Sequence, residues 1–364
     1  MKVLELLRNK EISLNELHEV YGIKINQYPD RLVLNYSQID SEKYKFHPIV
    51  RECRQLILSS DFSKILHRSF DRFFNLGEDP ESKNFNINDA TCDEKIDGSL
   101  IGLYWDGSKW CFCSKGMAFA EGNLNVQTRY DSYADIINGE FDVTNLLKNA
   151  NKDYSYLFEL ASEYDIHVTK YENTKMYLLA VREKNSGEYV DRYVEGSRIG
   201  WDLFPNSYHF KTVDDILENV KKLPSSNEGY VCTCDNWRIK VKNPLHVAIA
   251  NLLDTELTTN NIINIVYKCE EDEYLAYFPD YRTLFEPYIK IRKSMPDYFQ
   301  KILNENYDES TKIFAANINK YPASVKFILF KMYHNKMNFK DVYNSLAQTN
   351  IHNLYEQLHS VFYE

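Results

Sequence analysis

The chain has 364 residues, too long for one ordinary core, and at roughly 150 residues per domain it should hold two or three units. Hydrophobic residues make up 44% and aromatics 14%, with 28 Tyr and 20 Phe against only 12 Gly, which argues against a disordered or low-complexity chain. The net charge of −10 speaks against nucleic acid as a partner only as an average. From Ser310 to Lys340 no acidic residue occurs, and Lys312, Lys320, Lys326, Lys331, Lys336 and Lys340 give +6, leaving −16 for the remainder. A phosphate backbone responds to such a local patch, not to the overall charge.

In chain order, the first segment "MKVLELLRNKEISLNELHEV" is charged within its first ten residues, and no run anywhere approaches the roughly 20 apolar residues of a membrane span. The expectation is a soluble, cytoplasmic protein with no membrane association. Ser13 followed by Glu16 reads as a capping box for a helix over "LNELHEVY", with Gly22 placed to end it. From about 23 to 245 the pattern is mostly strand-like, through "RLVLNY", "RQLILS", "LIGLYW", "KWCFCS", "YLFELA", "KMYLLAV", "GYVCTC" and "WRIKVK". Turn signals stand at Pro29-Asp30, Asp106-Gly107, Ser186-Gly187 and Asp235-Asn236, and "VDDILENVKKL" (213–223) is helical.

After Pro244 the pattern changes to helical spacing or length in "HVAIANLLD", "NNIINIVYKC", "DYFQKILNEN", "SVKFILFKMYH" and "FKDVYNSLAQ". A boundary near 244–255 therefore separates an antiparallel α+β body, 1–245, from an all-helical C-terminal domain, 246–364. The seven cysteines are scattered. Cys111/Cys113 and Cys232/Cys234 each fall on one strand face without zinc-type spacing, so they read as buried, reduced thiols.

Three stretches carry chemistry. "DEKIDGSLIGLYWDGSKWCFCSKG" (93–116) sets Lys95 two positions before Asp97-Gly98; this is either a solvated lysine beside a turn or an amine held for reaction. In "WRIKVK", alternation sends Arg238, Lys240 and Lys242 to one face and Trp237, Ile239 and Val241 to the other. That is either an edge strand guarded by cations or a face for polyphosphate. Nearby positive charge and partial burial make a lysine amine more nucleophilic, and the same cations neutralise phosphates. Gly98 removes a Cβ where a phosphate or base must come close, and Ser99 could donate to it. Glu159, mid-strand in "YLFELAS", and Glu228, at a strand entry, add carboxylates of the kind that nucleotidyl transfer with Mg²⁺ needs.

"EKIDGSL" (94–100) resembles motif I of the covalent nucleotidyltransferases, the ligases and mRNA-capping enzymes. "LFELAS" resembles their motif III, "MYLLAVRE" (176–183) motif IIIa, "EGYVCTC" motif IV and "IKVK" (239–242) motif V, in order and with matching separations. Within that superfamily the chain is most similar to the ATP-dependent RNA ligase 1 family of T-even-type phages, which reseals broken tRNA. The likeness takes in "RECRQLIL" (51–58), "FDRFFNLGED" (70–79), "CSKG" (113–116) and "VREKNSGEYV" (181–190), and weakens in the helical tail.

The resemblance implies a nucleotidyltransferase domain in which Lys95 takes the AMP, and Arg54, Lys240 and Lys242 contact the ATP phosphates. Glu159 would hold the ribose or orient the site, Glu228 would bind or position Mg²⁺ or Mn²⁺, and Lys115 would line the pocket with Asp97 and Gly98. Arg72 stands where the family commonly has Lys before Phe-Phe-Asn, keeping the charge with a different geometry. The implied partners are ATP and RNA with 5′-phosphate and 3′-hydroxyl ends, tRNA-like, handled by a monomer. Two alternatives stay open: a non-catalytic RNA-end-binding protein on the same scaffold, and a DNA ligase or capping enzyme.

Overall fold

The computed structural model describes residues 1–122, 124, 128–165, 167–250 and 257–363. The chain divides into two compact units, 1–250 and 251–364. The first is α+β. Its leading sheet is an antiparallel meander of β1 (Ile23–Gln27), β2 (Arg31–Tyr36), β3 (Leu56–Ser59) and β4 (Ile65–His67). The helices Lys2–Arg8, Leu14–Glu19 and Pro48–Glu52 cover it over a core that includes Val3, Leu17, Leu34 and Ile49. Ser13 and Glu16 form the expected reciprocal cap. Gly22 follows with φ 67°, where a Cβ would lie 2.2 Å from the Asp40 carbonyl carbon, so only glycine makes this turn into β1.

Ten more strands build two further sheets: β5 (Phe74–Asn75), β6 (Thr91–Glu94), β7 (Ser99–Trp105), β8 (Trp110–Ser114), β9 (Tyr154–Ala161), β10 (Lys175–Glu183), β11 (Tyr189–Val190), β12 (Ser207–Tyr208), β13 (Gly229–Cys234) and β14 (Trp237–Lys242). The second sheet runs β11-β10-β9-β7-β8, and the third runs β12-β6-β13-β14-β5, in which only β14 and β5 are parallel. Every strand segment read from the sequence is present, with ends that differ by no more than two residues. The four turn pairs close the β1/β2, β7/β8, β10/β11 and β13/β14 hairpins.

Helices 133–140, 144–149 and 192–199 cover the outer face of the second sheet through Ile136, Ile137, Leu146 and Ile199. Each is short, with few apolar positions, and none is apparent from periodicity. The outer face of the third sheet packs Cys92, Tyr230, Cys232, Ile239 and Val241 against Ile216 and Val220 of the helix Val213–Val220. Cys92 and Cys232 are direct cross-strand partners and are joined in a disulfide, which corrects the expectation of reduced thiols at Cys232. Their register sets the two side chains side by side. Cys53, Cys111, Cys113, Cys234 and Cys269 carry reduced thiols.

The second unit is helical: Thr259–Tyr267, Glu271–Tyr277, Arg282–Asn306, Thr311–Asn317, Ala323–Asn335, Phe339–Asn344 and Gln348–Tyr363. Of the expected helix "HVAIANLLD", residues 246–250 belong to the helix Pro244–Ala250 and 251–254 lie outside the described residues. Arg282–Asn306 carries Pro287 and Pro296 internally, which is why only its later part reads as helical from the sequence. Val325, Ile328, Leu329 and Met332 are buried, in the helical spacing the sequence shows. No helix among the described residues is long and apolar enough to cross a membrane.

Candidate active site between two sheets

The second and third sheets face each other across a cavity of about 720 Å³. Its third-sheet wall comprises Thr91, Asp93, Val231, Thr233, Arg238, Lys240 and Lys242, the alternate residues of β6, β13 and β14. Strand alternation thus sorts cations into the cavity and Ile239 and Val241 into the core. β14 lies between β13 and β5, so it is not an edge strand.

Lys95 follows β6, where its backbone N–H donates to the Gly229 carbonyl at 2.8 Å. The link Lys95–Gly98 then crosses to β7 of the second sheet, so the lysine stands on the connection between two sheets. Gly98 lines the cavity and is also tightly packed. A Cβ there would sit 2.5 Å from the Leu160 carbonyl oxygen and 3.0 Å from Glu159 Cγ, so the glycine lets the link pass against β9.

Lys95 Nζ donates to Glu228 Oε2 at 2.6 Å, and Lys242 Nζ lies 3.2 Å from Glu228 Oε1. Burial raises the Glu228 pKa, but Lys95 and Lys242 outweigh it and bring the carboxyl down to about 2. Glu159 is half-buried on β9 and lines the cavity. Burial pushes its carboxyl up to about 7, with Lys95 opposing the rise and Glu228 reinforcing it. The two carboxylates therefore act oppositely on stability. Glu159 takes up a proton on folding, so stability falls as pH rises from 4.5 through about 7; the Glu228 contribution is present above 4.5 and is lost as pH falls toward 2. Glu159→Gln is expected to melt at a higher temperature than the unchanged protein at about pH 8, and the difference should vanish by about pH 4. Equal melting temperatures at the higher pH would contradict the raised value.

Cations and rings alternate along one wall. Arg238 lies over Tyr189 (3.8 Å) and Phe70 (4.9 Å), Arg54 over Phe73 (4.8 Å) and Phe70 (5.7 Å), and Lys240 over Phe73 (5.7 Å). Lys115 also lines the cavity and stands 5.5 Å from the Tyr36 ring centre. Arg72 does not line it: its guanidinium packs 4.2 Å over Tyr36 and donates to Ser41 Oγ (3.0 Å) and Gln38 Oε1 (3.1 Å). Burial raises the Tyr36 pKa, yet Lys115, Arg54, Arg72 and Lys240 together bring it down to about 8. Arg72 thus adds its charge from behind the tyrosine. On the opposite wall β10 carries a bulge between Leu178 and Ala180, and Leu179 and Ala180 both face the cavity.

Asp97 also lies off the cavity lining. Its Oδ2 accepts the Thr169 backbone N–H at 2.8 Å, and two imidazoles flank it, His167 Nδ1 and His246 Nε2, each at 3.7 Å. Asp165 accepts Ser99 Oγ (2.6 Å) and Tyr133 OH (3.0 Å) and pairs with His167 Nε2 (2.9 Å). Ser99 thus donates to a protein carboxylate. One donor atom each from Asp97, Glu228 and His246 lie within 4.8 Å of one another. The structure therefore brings together Lys95, Gly98, Glu159, Glu228, Arg54, Lys115, Lys240 and Lys242, with Asp97 behind Glu228 and Arg72 behind Tyr36. The sequence reading missed Tyr36, Phe70, Phe73, Tyr189, His167 and His246. Its only hint of them was the aromatic density of "FDRFFN" and the acid–histidine run "EYDIH" just after β9.

An amine paired to a buried carboxylate beside a cation-lined cleft between two sheets is suited to reaction with a phosphate compound. The family model described as RNA ligase matches residues 52–246, more than half of the chain, and the chain belongs to that family. Over 322 residues it is 29% identical to a protein of Autographa californica nuclear polyhedrosis virus described as a bifunctional polynucleotide kinase/RNA ligase, covering 81% of this chain but only 44% of the viral one. An RNA ligase of Rhodothermus phage RM378 is 24% identical, with 70% of this chain and 72% of that one covered. Among solved structures, an archaeal ATP-dependent RNA ligase superposes with a TM-score of 0.49 at 10% identity, covering 87% of this chain and 88% of that one.

Proposed function

We propose that the protein is an ATP-dependent RNA ligase that joins 5′-phosphate and 3′-hydroxyl RNA ends, in repair of broken tRNA-like substrates. The observation that carries this reading is Lys95 Nζ held by Glu228 beside Lys242 in the cavity that Arg54, Lys115, Lys240 and Glu159 also line. In the ion pair the nitrogen keeps its proton; once that proton is released to solvent, the free amine attacks the α-phosphorus of ATP. The N–P bond forms as the bond from phosphorus to the α,β-bridging oxygen breaks, and pyrophosphate leaves. A terminal oxygen of the RNA 5′-phosphate then displaces Lys95 from the same phosphorus, giving an RNA-adenylate. The 3′-hydroxyl attacks the 5′-phosphorus, loses its proton and expels AMP.

Lys240, Lys242, Arg54 and Lys115 are placed to neutralise the phosphates, and the half-buried Glu159 to meet the nucleoside. The carboxylates of Glu228 and Asp97 suit a hard divalent ion, Mg²⁺ or Mn²⁺, which would supply further neutralisation of phosphate charge. The complete set of lysine, carboxylates and cations disfavours a mere RNA-end binder. The described residues from 257 onward are helices, not the oligonucleotide-binding barrel that DNA ligases and capping enzymes commonly carry. Incubation with α-labelled ATP or, separately, GTP, followed by a denaturing gel, tests the reading. Acid-labile label from ATP and circularisation of a 5′-phosphorylated RNA support it; label from GTP alone points to a capping enzyme.

The helical unit is assigned RNA affinity and no catalytic group. Lys320 and Lys336 are exposed and Lys326 and Lys331 partly so, while the helix Ala323–Asn335 turns Val325, Ile328, Leu329 and Met332 inward. Replacing these four by Gln in the full chain is expected to weaken RNA binding and to flatten the slope of log affinity against log salt by about 0.7–0.9 for each phosphate no longer neutralised. Adenylylation should be unchanged. Identical affinities and slopes would leave the unit without an RNA role.

A further inference from the structure

The helix Ala323–Asn335 turns Val325, Ile328, Leu329 and Met332 inward, yet its Phe327 is 43% exposed. One exposed ring is ordinary and by itself says nothing. Phe327 is set apart by its surroundings. Where this helix meets Gln348–Tyr363 there is a cavity of about 250 Å³, lined by the buried Ile328 and Leu346 and by Phe327. The second helix contributes Asn350, Asn353 and Gln357, three and four positions apart, which puts three carboxamides on one face.

Gln357 Oε1 accepts the Ser324 backbone N–H at 3.0 Å, one of the donors that a helix start leaves without an internal partner. That bond fixes the amide and leaves its NH₂ group to offer two donors. Asn350 and Asn353 are exposed, and each offers donors and an acceptor to another molecule. Among the described residues, none that lines the cavity is charged. Lys331 stands beside it, one helical turn after Phe327, with Nζ 5.0 Å from the centre of the Phe327 ring and 3.5 Å from Ser345 Oγ. It belongs to the run from Ser310 to Lys340 that holds six lysines and no acid.

A flat apolar face, a polar edge and a neighbouring cation are met together by one ligand chemistry. A nucleobase has a π-face to lie on a ring and an edge of donors and acceptors, and its sugar carries a phosphate. An aliphatic peptide side chain would cover Phe327 but leave the carboxamides and the lysine unused. The cavity falls below the ~300–1,000 Å³ of sites that enclose a drug-sized ligand, which leaves room for a base with its sugar outside.

We propose that this cavity takes the base of one unpaired nucleotide of an RNA substrate, stacked on Phe327, with the adjoining phosphate against Lys331. Paired bases stay stacked within their own helix, so the pocket selects RNA by its loops or bulges. RNA as the ligand rests on the ligase reading; the pocket adds selection by shape to the charge of the same unit.

The probes are two RNAs with equal numbers of phosphates, a stem–loop and a blunt duplex, titrated against the full-length protein. The stem–loop should bind at least about 5-fold more tightly, the gain from one stacked base. Phe327→Ala and Phe327→Leu should remove that preference and leave duplex affinity unchanged, whereas Phe327→Trp should keep it. 5-Iodouridine in the loop should photo-crosslink to the peptide that contains Phe327. A preference that survives Phe327→Ala overturns the proposal, and so does a crosslink confined to other peptides. A dimer of the unsubstituted protein that Phe327→Ala dissolves overturns it too, because a second copy then fills the groove. Labelling of Lys95 by α-labelled ATP is followed in the same samples. Label without loop preference sinks the pocket alone; loop preference without label sinks the ligase reading alone.

Discussion

Lys95→Ala is expected to abolish covalent labelling by α-labelled ATP while the protein stays folded. The amine is removed with its methylene stem, and nothing in the proposed chemistry substitutes for the N–P bond it forms. Lys242 could be mistaken for a second nucleophile, because it too approaches Glu228, at 3.2 Å. It lies on β14, in the row that faces the phosphates, whereas Lys95 is at the end of β6 on the link between sheets. The same Lys242 protects the fold of the variant. Removing one partner of a buried carboxylate is usually costly, but Glu228 keeps its second cation when Lys95 is replaced. Lys95→Arg should fail as well, since a guanidinium keeps the charge and has no available lone pair. Label retained in Lys95→Ala at the original stoichiometry would rule the mechanism out.

Neutralising either Lys240 or Lys242 is expected to slow adenylylation by a factor on the order of 10²–10³, the range for losing one group that stabilises transition-state charge. The register gives this prediction its control. Lys240 lies opposite Val231 and Lys242 opposite Gly229 on β13, both on the cavity face, while Val241 between them is 1% exposed in the core. A lysine moved to position 241 should therefore not rescue Lys240→Ala; it should also destabilise the sheet by burying an unpaired charge. Single-turnover labelling rates decide the matter. Near-normal rates in both alanine variants would reduce β14 to a structural strand.

The strands and the cation face were legible because a two-residue period needs only the sequence to place side chains on faces. Lys95, Glu159, Glu228 and the 238–242 row could be brought together because their motifs recur in order. What stayed hidden depends on neighbours distant in sequence. Tyr36 acquires its significance from cations at 54, 72, 115 and 240, and no local pattern announces that. Arg72 carries the right charge for binding phosphate but is drawn into stacking on Tyr36 and hydrogen bonds to Ser41 and Gln38. His246 read as one polar residue in a helical stretch, and its bearing follows from where that helix turns back on Asp97 and Glu228. The helices 133–149 are too short and too polar for their period to stand out, and the long helix Arg282–Asn306 hides behind two prolines. Gly98 was identified as a place needing close approach, and the Leu160 carbonyl oxygen is one atom that comes close there.

The Lys95–Gly98 link belongs to neither of the sheets that it joins. At one end it is tied to Gly229 of the third sheet, and at the other it is pressed against Leu160 of the second. The aim of the amine is therefore a difference between the positions of two separately packed layers. A substitution at Ile216 or Val220, under the third sheet and away from the cavity lining, can shift Lys95 relative to Glu159 as effectively as a change in the cleft. Ordinary packing residues and reactive residues then share one phenotype, a folded protein that reacts slowly. Selection for chemistry in such a chain is at the same time selection on how two hydrophobic layers set.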